Sequence, residues 1–259
     1  MKQRFATILA TVLLIGQIFA QERPTTDFFV QIKNYDLSVV MAADSICISC
    51  DEGIEKMVEK GSEILGFICD NYQRLHIHFI SIIQNPLDPY EYFAYGKTKV
   101  KENISSFQGT MKVTKSKLYK ESDVPIYKQG YAELKVNLYE DSKQNSTGFF
   151  SGKLTANFMI DKKGVLKYDA LILGADGFCN NQFVGTWTSY KTKSTKKANW
   201  GDSRIPESGD LDDGVAEFYV NDKYVKNGWE NYKSAYGYGP ETPEENNTPA
   251  KAGGFNFKD

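Results

Sequence analysis

Two histidines lie two residues apart, at positions 76 and 78, within an apolar stretch. Residues i and i+2 of a β-strand point to the same face, so His76 and His78 could reach one metal ion. Zinc sites take three or four protein ligands, and the chain has no third histidine. The competing interpretation places Leu75, Ile77 and Phe79 in the core and both imidazoles toward solvent or a lumen. We predict no cofactor, with zinc at this pair as the alternative.

Four cysteines provide a second candidate chemistry. Cys47 and Cys50 form a Cys-x-x-Cys pair at the start of a predicted helix, a position that stabilises a thiolate. The βαβ pattern of a thioredoxin does not follow, and structural disulfides or buried thiols are the usual role of cysteines in an exported chain. We predict that Cys47 pairs with Cys50, or that one of them pairs with Cys69, which leaves Cys179 over.

Carboxylates cluster in a Gly-rich stretch over residues 200–214, which we interpret as a long loop. Asp210, Asp212 and Asp213 precede Gly214, but the alternating acidic positions of an EF-hand are absent. Solvated carboxylates are therefore the main prediction, and a calcium site is the alternative.

Aromatic residues near these carboxylates indicate ligand binding. Trp200 and Arg204 lie in the acidic loop, Trp229 follows it, and Trp187 precedes it in a predicted strand. Indole rings can stack on a sugar or an apolar ligand while their N–H groups hydrogen-bond to it. We predict that these four residues bind a ligand. The competing interpretation is that the aromatic rings plug one end of a barrel.

Motifs of common enzyme classes are absent from the sequence. It has no Gly-x-Ser-x-Gly elbow, no phosphate-binding loop and no dinucleotide fingerprint. Glu133, Glu140 and Asp141 could act as an acid and base pair, but carboxylates on the wet face of a strand are common. We name no catalytic residue and favour a protein that is not an enzyme.

The elements that must position these residues are β-strands. Apolar and polar residues alternate over 107–114, 132–139, 150–160 and 182–190, which predicts strands with one buried face. A turn after residue 160 makes 150–173 a hairpin. Because the connections are short, we predict an all-β fold in which an antiparallel meander forms a barrel or curved sandwich.

Less regular segments flank this meander. We predict a strand over 28–40 and one short helix near the N-terminus, over 49–60, where a capping box and helical spacing of apolar residues coincide. Residues 191–197 are basic and polar and break the strand pattern, and a last strand is expected over 215–220.

Residues 63–84 fit two arrangements. The helix could continue, or residues 64–69 and 74–84 could form a hairpin around a turn, since short apolar runs do not distinguish the two. We favour the hairpin because Gly61 and Gly66 disfavour a helix.

The N-terminus has the form of a secretory signal peptide over residues 1–20, with Lys2 and Arg4 before an apolar stretch. Gln21, rather than a cysteine, follows the expected cleavage site. We therefore predict an exported protein, periplasmic or extracellular, that is not a lipoprotein.

The remainder is predicted to form a single β-barrel-like domain over residues 21–236. Residues 237–259 are too polar to pack and are expected to be disordered. The formal net charge of −2 argues against nucleic-acid binding, and no segment after the signal peptide is apolar enough to span a membrane.

Residues 185–187 read Gly-Thr-Trp inside a predicted strand. The motif is similar to the Gly-x-Trp of the lipocalin and fatty-acid-binding-protein superfamily, the calycins, although theirs lies on the first barrel strand. More broadly, segments 88–93, 176–187 and 199–206 resemble a group of uncharacterised exported proteins of Gram-negative gut and oral bacteria. The resemblance implies a barrel-like β fold and a periplasmic or surface setting.

We therefore predict an exported, soluble β-barrel protein that binds a small hydrophobic or glycan-like ligand in its mouth or lumen. A lumen filled by side chains would argue against a ligand inside it. The alternative is a non-catalytic structural or interaction protein of the cell envelope, whose contact with an envelope protein partner uses residues 200–259.

Overall fold

A computed structural model describes residues 23–43, 45–49, 55–59 and 63–236. Just under half of them form one antiparallel sheet of 11 strands, and a separate hairpin holds two more strands. In chain order the strands are β1 (Thr25–Asp27), β2 (Ser45–Ser49), β3 (Glu55–Glu59), β4 (Leu65–Ile68), β5 (Gln73–Arg74), β6 (His76–Asn85), β7 (Asp88–Val100), β8 (Asn103–Tyr119), β9 (Lys128–Glu140), β10 (Gly148–Ile160), β11 (Leu166–Tyr168), β12 (Asn180–Ser189) and β13 (Thr195–Asp202).

The main sheet is a meander that curls into a half-barrel. Its order is β5-β4-β13-β12-β10-β9-β8-β7-β6, with β1 paired to β8 and β11 paired to β10. The two end strands, β5 and β6, are consecutive in the chain and are separated only by Leu75, whose N–H donates to the Gly66 carbonyl at 2.9 Å. The predicted all-β fold with an antiparallel barrel or curved sandwich is confirmed.

Two glycines face each other at the centre of the sheet, Gly152 on β10 and Gly185 on β12. A Cβ atom at Gly185 would lie 2.5 Å from the Phe183 ring and 2.5 Å from the Ser151 carbonyl oxygen. The missing side chains therefore let the Phe183 ring lie flat against the strands, where it stacks on Trp200 with ring centroids 3.6 Å apart.

Side chains fill the concave face of the sheet. The largest of them are fully buried aromatic residues, Tyr92, Phe107, Phe150, Phe158, Phe183 and Trp200. Two short helices, α1 (Phe29–Ile32) and α2 (Ser38–Met41), add their apolar residues to the same cluster, and α2 packs against β6, β10 and β11. The N-terminal segment therefore covers the concave face.

The C-terminal segment covers one half of the outer face. After β13 it forms a 3-10 helix (Gly209–Leu211), a second 3-10 helix (Asp222–Asn227) and α3 (Glu230–Tyr236). Leu65 and Phe67 of β4 point outward and pack against the buried side chains of this segment. The buried side chains of the segment are those of Ile205, Leu211, Phe218, Val220 and Trp229. Among the residues described, the outer face of β6 to β10 has no such cover.

The strand predicted over 28–40 is wrong, because these residues form α1 and α2 around a turn. Phe28 and Ile32, four residues apart, are the buried positions, and the side chain of Asp36 accepts a hydrogen bond from the Ser38 N–H at 2.8 Å. The buried apolar residues therefore follow the spacing of a helix, not that of a strand. The helix predicted over 49–60 is also wrong, because Glu55–Glu59 pairs with Ser45–Ser49 as a hairpin.

The loop predicted from residue 200 begins later, because β13 runs through Trp200 to Asp202. The strand expected over 215–220 is reduced to one isolated bridge between Asp212 and Val220. The hairpin favoured for residues 63–84 is confirmed only at its turn, where Phe67 on β4 lies opposite Arg74 on β5, because the rest of the predicted second strand is β6 and pairs with β7. The signal peptide and residues 237–259 lie outside the described residues.

Candidate functional site

A row of outward-pointing side chains crosses the uncovered half of the sheet. Ser81 on β6 lies opposite Tyr95 on β7, which lies opposite Gln108 on β8. Gln108 in turn faces Tyr139 on β9, which faces Phe149 on β10. The side chains of Tyr95 and Tyr139 are 45% and 49% exposed. Large aromatic rings are thus presented to solvent in a rigid, paired part of the fold.

A second row runs parallel to the first, two residues further along each strand. It contains Ile83, Phe93, Thr110, Asn137 and Ser151, which lie opposite one another in that order. Ile83 and Phe93 are exposed, and the Ser151 hydroxyl donates to the Asn137 side-chain oxygen at 3.0 Å. We call these two rows together the aromatic face.

Two shallow depressions meet on the aromatic face. One has a volume of about 510 Å³ and reaches Phe93 and Thr110, and the other has about 430 Å³ and reaches Tyr190. Tyr95, Gln108 and Tyr139 line both of them. Neighbouring strands are about 4.8 Å apart, so Tyr95 and Tyr139 stand about 10 Å apart with an amide between them. The two depressions adjoin at these three side chains, and we call them together the groove.

Glu140 anchors the inner side of the sheet next to this groove. Its carboxylate accepts hydrogen bonds from the Trp187 indole N–H at 2.8 Å, the Thr98 hydroxyl at 2.7 Å and the Gly148 N–H at 2.8 Å. Burial raises the pKa of Glu140, and the three donors act in the opposite direction. Trp187 is therefore fixed at this position by a buried carboxylate.

The raised pKa of Glu140 has a consequence for stability. The folded state holds a proton at Glu140 more tightly than the unfolded chain, whose pKa is near 4.5, so this group stabilises the fold most below that pH. The stabilisation is lost as the pH rises through the folded-state pKa. Glu140→Gln removes this titration. We therefore expect the free energy of unfolding of the wild type, relative to that of the variant, to be larger at about pH 4 than at about pH 8. Urea unfolding across this pH range measures the difference in free energy of unfolding between the two proteins. A difference that stays constant, or that shifts in favour of the wild type as the pH rises, would contradict the prediction.

The structure buries the three tryptophans predicted to bind ligand. Trp187 and Trp200 belong to the interior cluster, whereas Trp229 belongs to the outer cluster beneath the C-terminal segment. The indole N–H of Trp229 donates to the Tyr72 carbonyl oxygen at 2.8 Å. The fold therefore does not bring the three rings together on one surface, and ligand binding at them stays a prediction.

Arg204 lines a separate cavity of about 220 Å³ beside the C-terminal segment. Its guanidinium pairs with Asp212 at 2.7 Å and donates to the Gly214 carbonyl oxygen at 2.6 Å. Asp210 pairs with Lys223 at the surface. Arg204 and these carboxylates thus hold the acidic loop together, and the described residues contain no group of three or more potential metal ligands.

His76 and His78 both lie on the outer side of β6, opposite Lys99 and Lys97. The Nδ1 atom of His76 is 3.3 Å from the Glu63 carboxylate. A metal at the two histidines stays a prediction.

Cys69 and Cys179 are free thiols in the structure. Burial raises the pKa of the Cys179 thiol, which keeps it in the less reactive protonated form. The side chain of Cys47 and all of Cys50 lie outside the described residues, so the pairing of Cys47 with Cys50 stays a prediction.

The sequence contained one signal for the aromatic face. Tyr139 falls in the polar phase of its strand, together with Glu133, Lys135 and Asn137. A large aromatic residue in the phase that faces water marks an exposed ring. Its position next to Tyr95 depends on the register of three strands, which the alternation alone does not give.

Comparison with protein-family models, with curated proteins and with solved structures finds no match to this chain. In the part of the chain that the structure describes, no helix is long and apolar enough to cross a membrane. The geometry defines the class of protein: an antiparallel half-barrel with a filled interior and an exposed aromatic face.

Proposed function

We propose that this protein is an exported, non-catalytic glycan-binding protein that holds an extended sugar chain along the aromatic face. The observation that carries the proposal is the first row, in which Tyr95 and Tyr139 expose their rings on either side of Gln108. The apolar faces of sugar rings stack on aromatic rings, and amide and hydroxyl groups hydrogen-bond to sugar hydroxyls. The face offers both kinds of group in one groove.

The filled interior supports a site on the outside of the sheet. Phe107, Phe150 and Trp200 occupy the space in which a calycin would hold a hydrophobic ligand, and α1 and α2 cover it. A small hydrophobic ligand in the lumen is therefore disfavoured, because it would have to displace packed side chains.

The positions of the rings also favour binding. Tyr139 and Phe149 lie on paired strands, with ring centroids 5.9 Å apart, and Tyr190 continues the series at 6.2 Å from Phe149. Side chains held by paired strands and by one another lose little conformational freedom when a ligand binds. The groove is thus preorganised for a rigid, elongated ligand.

An envelope interaction protein is the second candidate. It would expose the aromatic residues of the C-terminal segment to a partner, but Trp229 and Phe218 are buried against β4. Glycan binding has the better support because its aromatic residues are exposed.

Tyr139→Ala is expected to weaken glycan binding by about fivefold to tenfold, since it removes a stacking platform worth about 1–1.4 kcal/mol. The fold should be retained because the side chain is half exposed. Affinity electrophoresis in gels containing a panel of neutral and acidic polysaccharides measures the retardation. Tyr131→Ala is the matched control, because Tyr131 lies on the same strand and the same side but outside the groove.

Retardation that is equal for wild type and Tyr139→Ala would place binding elsewhere. The absence of retardation of the wild type in every gel would refute the proposed function.

A further inference from the structure

We infer that the glycan is acidic, a polysaccharide with carboxylate or sulfate groups; the inference rests on the proposed function and names its ligand class. Three lysines, Lys112, Lys135 and Lys153, lie opposite one another on β8, β9 and β10. We call them the lysine row. Each lies two residues beyond a member of the second row of the aromatic face, on the same side of the sheet.

Placing these three charges side by side has a cost. Like charges directly opposite each other on neighbouring strands destabilise a sheet. Lys112 pairs with Asp88 at 2.8 Å and Lys153 with Glu133 at 3.6 Å, which offsets the repulsion at the two ends. Among the described residues, no carboxylate pairs with Lys135, which is exposed between the other two. An anionic group bound over Lys135 would remove this repulsion.

Acidic side chains limit the lysine row on one side. Glu91 on β7 lies opposite Lys112, and its carboxylate accepts a hydrogen bond from the Asn85 side chain at 2.8 Å. On the other side of the aromatic rows, Lys97 follows Tyr95 on the same face of β7. Lys97 therefore lies on one side of the groove and the lysine row on the other, while Asp141 also lines the groove. The whole chain has a net charge of −2.

The order of the rows matches the chemistry of an acidic sugar. The first row supplies rings for stacking, the second supplies Thr110, Asn137 and Ser151 for hydroxyl groups, and the third supplies ammonium groups for anions. Single-stranded nucleic acid also binds to aromatic and basic residues, but it presents few hydroxyl groups to the neutral side chains of the second row. One row of three lysines beside neutral hydrogen-bonding groups favours the glycan.

Polygalacturonate and its fully methyl-esterified form provide the test, because they share a backbone and differ in charge. We expect the wild-type protein to bind the acid form at least about tenfold more tightly, with an affinity that falls as salt is added. Lys135→Gln should weaken binding of the acid form about threefold to tenfold and leave the ester unchanged. Lys163→Gln, in the turn after β10, removes the same charge away from the groove and should have no effect. Dextran sulfate and dextran test sulfate groups in the same way.

The outcomes separate the inference from the proposed function. Equal binding of the charged and neutral forms in both pairs, unaffected by Lys135→Gln, would overturn the acidic ligand and leave glycan binding in place. Tighter binding of an oligothymidylate than of any polysaccharide would overturn both in favour of a nucleic acid. Weaker acid-form binding by Lys135→Gln with unchanged ester binding, together with weaker binding of both forms by Tyr139→Ala, would support both.

Discussion

Arg74→Ala is expected to lower the free energy of unfolding by about 3–5 kcal/mol. The Arg74 side chain is 3% exposed and forms an ion pair with Glu63. Its guanidinium lies 4.2 Å from the centroid of the Trp229 ring and 5.2 Å from that of the Tyr232 ring. Removing the side chain breaks the pair, empties the space between the rings and leaves the carboxylate without its main partner.

The burial of Arg74 explains why this effect should be large. Desolvation lowers the pKa of Arg74, and the neighbouring Glu63 carboxylate raises it in compensation. The charge is therefore tolerated only because its ion pair and the two rings surround it. The same contacts tie α3 to β5, so the C-terminal segment should lose its fixed position, and the near-UV circular dichroism of Trp229 should weaken with it.

Arg23→Ala is the matched control. Arg23 also lies over a tyrosine, 4.2 Å from the Tyr119 centroid, and also pairs with a carboxylate, Asp123, at 3.4 Å. Its side chain is 43% exposed, so its loss should cost less than about 1 kcal/mol. Urea unfolding of both variants measures the contrast, and similar losses in the two variants would show that burial does not make Arg74 important.

The strands of the sheet were predictable because their information is local. Ala132, Leu134, Val136 and Leu138 alternate with polar residues in the sequence, and all four are fully buried. A period of two follows from the geometry of a single strand and requires no knowledge of its neighbours. This explains why the all-β class and the meander from β8 to β10 could be predicted.

β13 was not predicted as a strand, because its sequence lacks this alternation. Ala198, Asn199, Trp200 and Asp202 are all buried, because the interior cluster lies on one side of this strand and the C-terminal segment on the other. A strand covered on both faces loses the alternation that marks a half-buried one. Asn199 satisfies its side chain by bonding to the Pro206 carbonyl oxygen at 2.9 Å, a contact that only the fold reveals.

The candidate site was the least predictable part. The sequence analysis predicts ligand binding at tryptophans, because indole rings often bind ligands. A large aromatic ring, however, also stabilises a hydrophobic core by its burial. The placement of Tyr95 and Tyr139 on one face, on either side of Gln108, depends on the cross-strand register of β7, β8 and β9. The alignment is a property of the whole sheet and is not encoded in any one segment.

Trp200→Ala is expected to lower the free energy of unfolding by about 3–5 kcal/mol, as for other fully buried aromatic residues. The Trp200 side chain is 1% exposed and stacks on Phe183 with an interplanar angle of 13°. Its ring also meets Phe150 edge to face at 5.7 Å. The substitution would open a large cavity at the point where β12 and β13 close over the interior, and the neighbouring rings could fill it only in part.

The same variant distinguishes a core role from a ligand-binding role for Trp200. If the residue belongs to the core, the fraction of protein that remains folded should bind polysaccharide as the wild type does. Tyr139→Ala should show the reverse, with stability retained and binding weakened, because its ring is half exposed on the groove. Urea unfolding and affinity electrophoresis of both variants therefore form a crossed comparison. A stable Trp200→Ala variant that no longer binds would return the ligand to the site predicted from the tryptophans and remove it from the aromatic face.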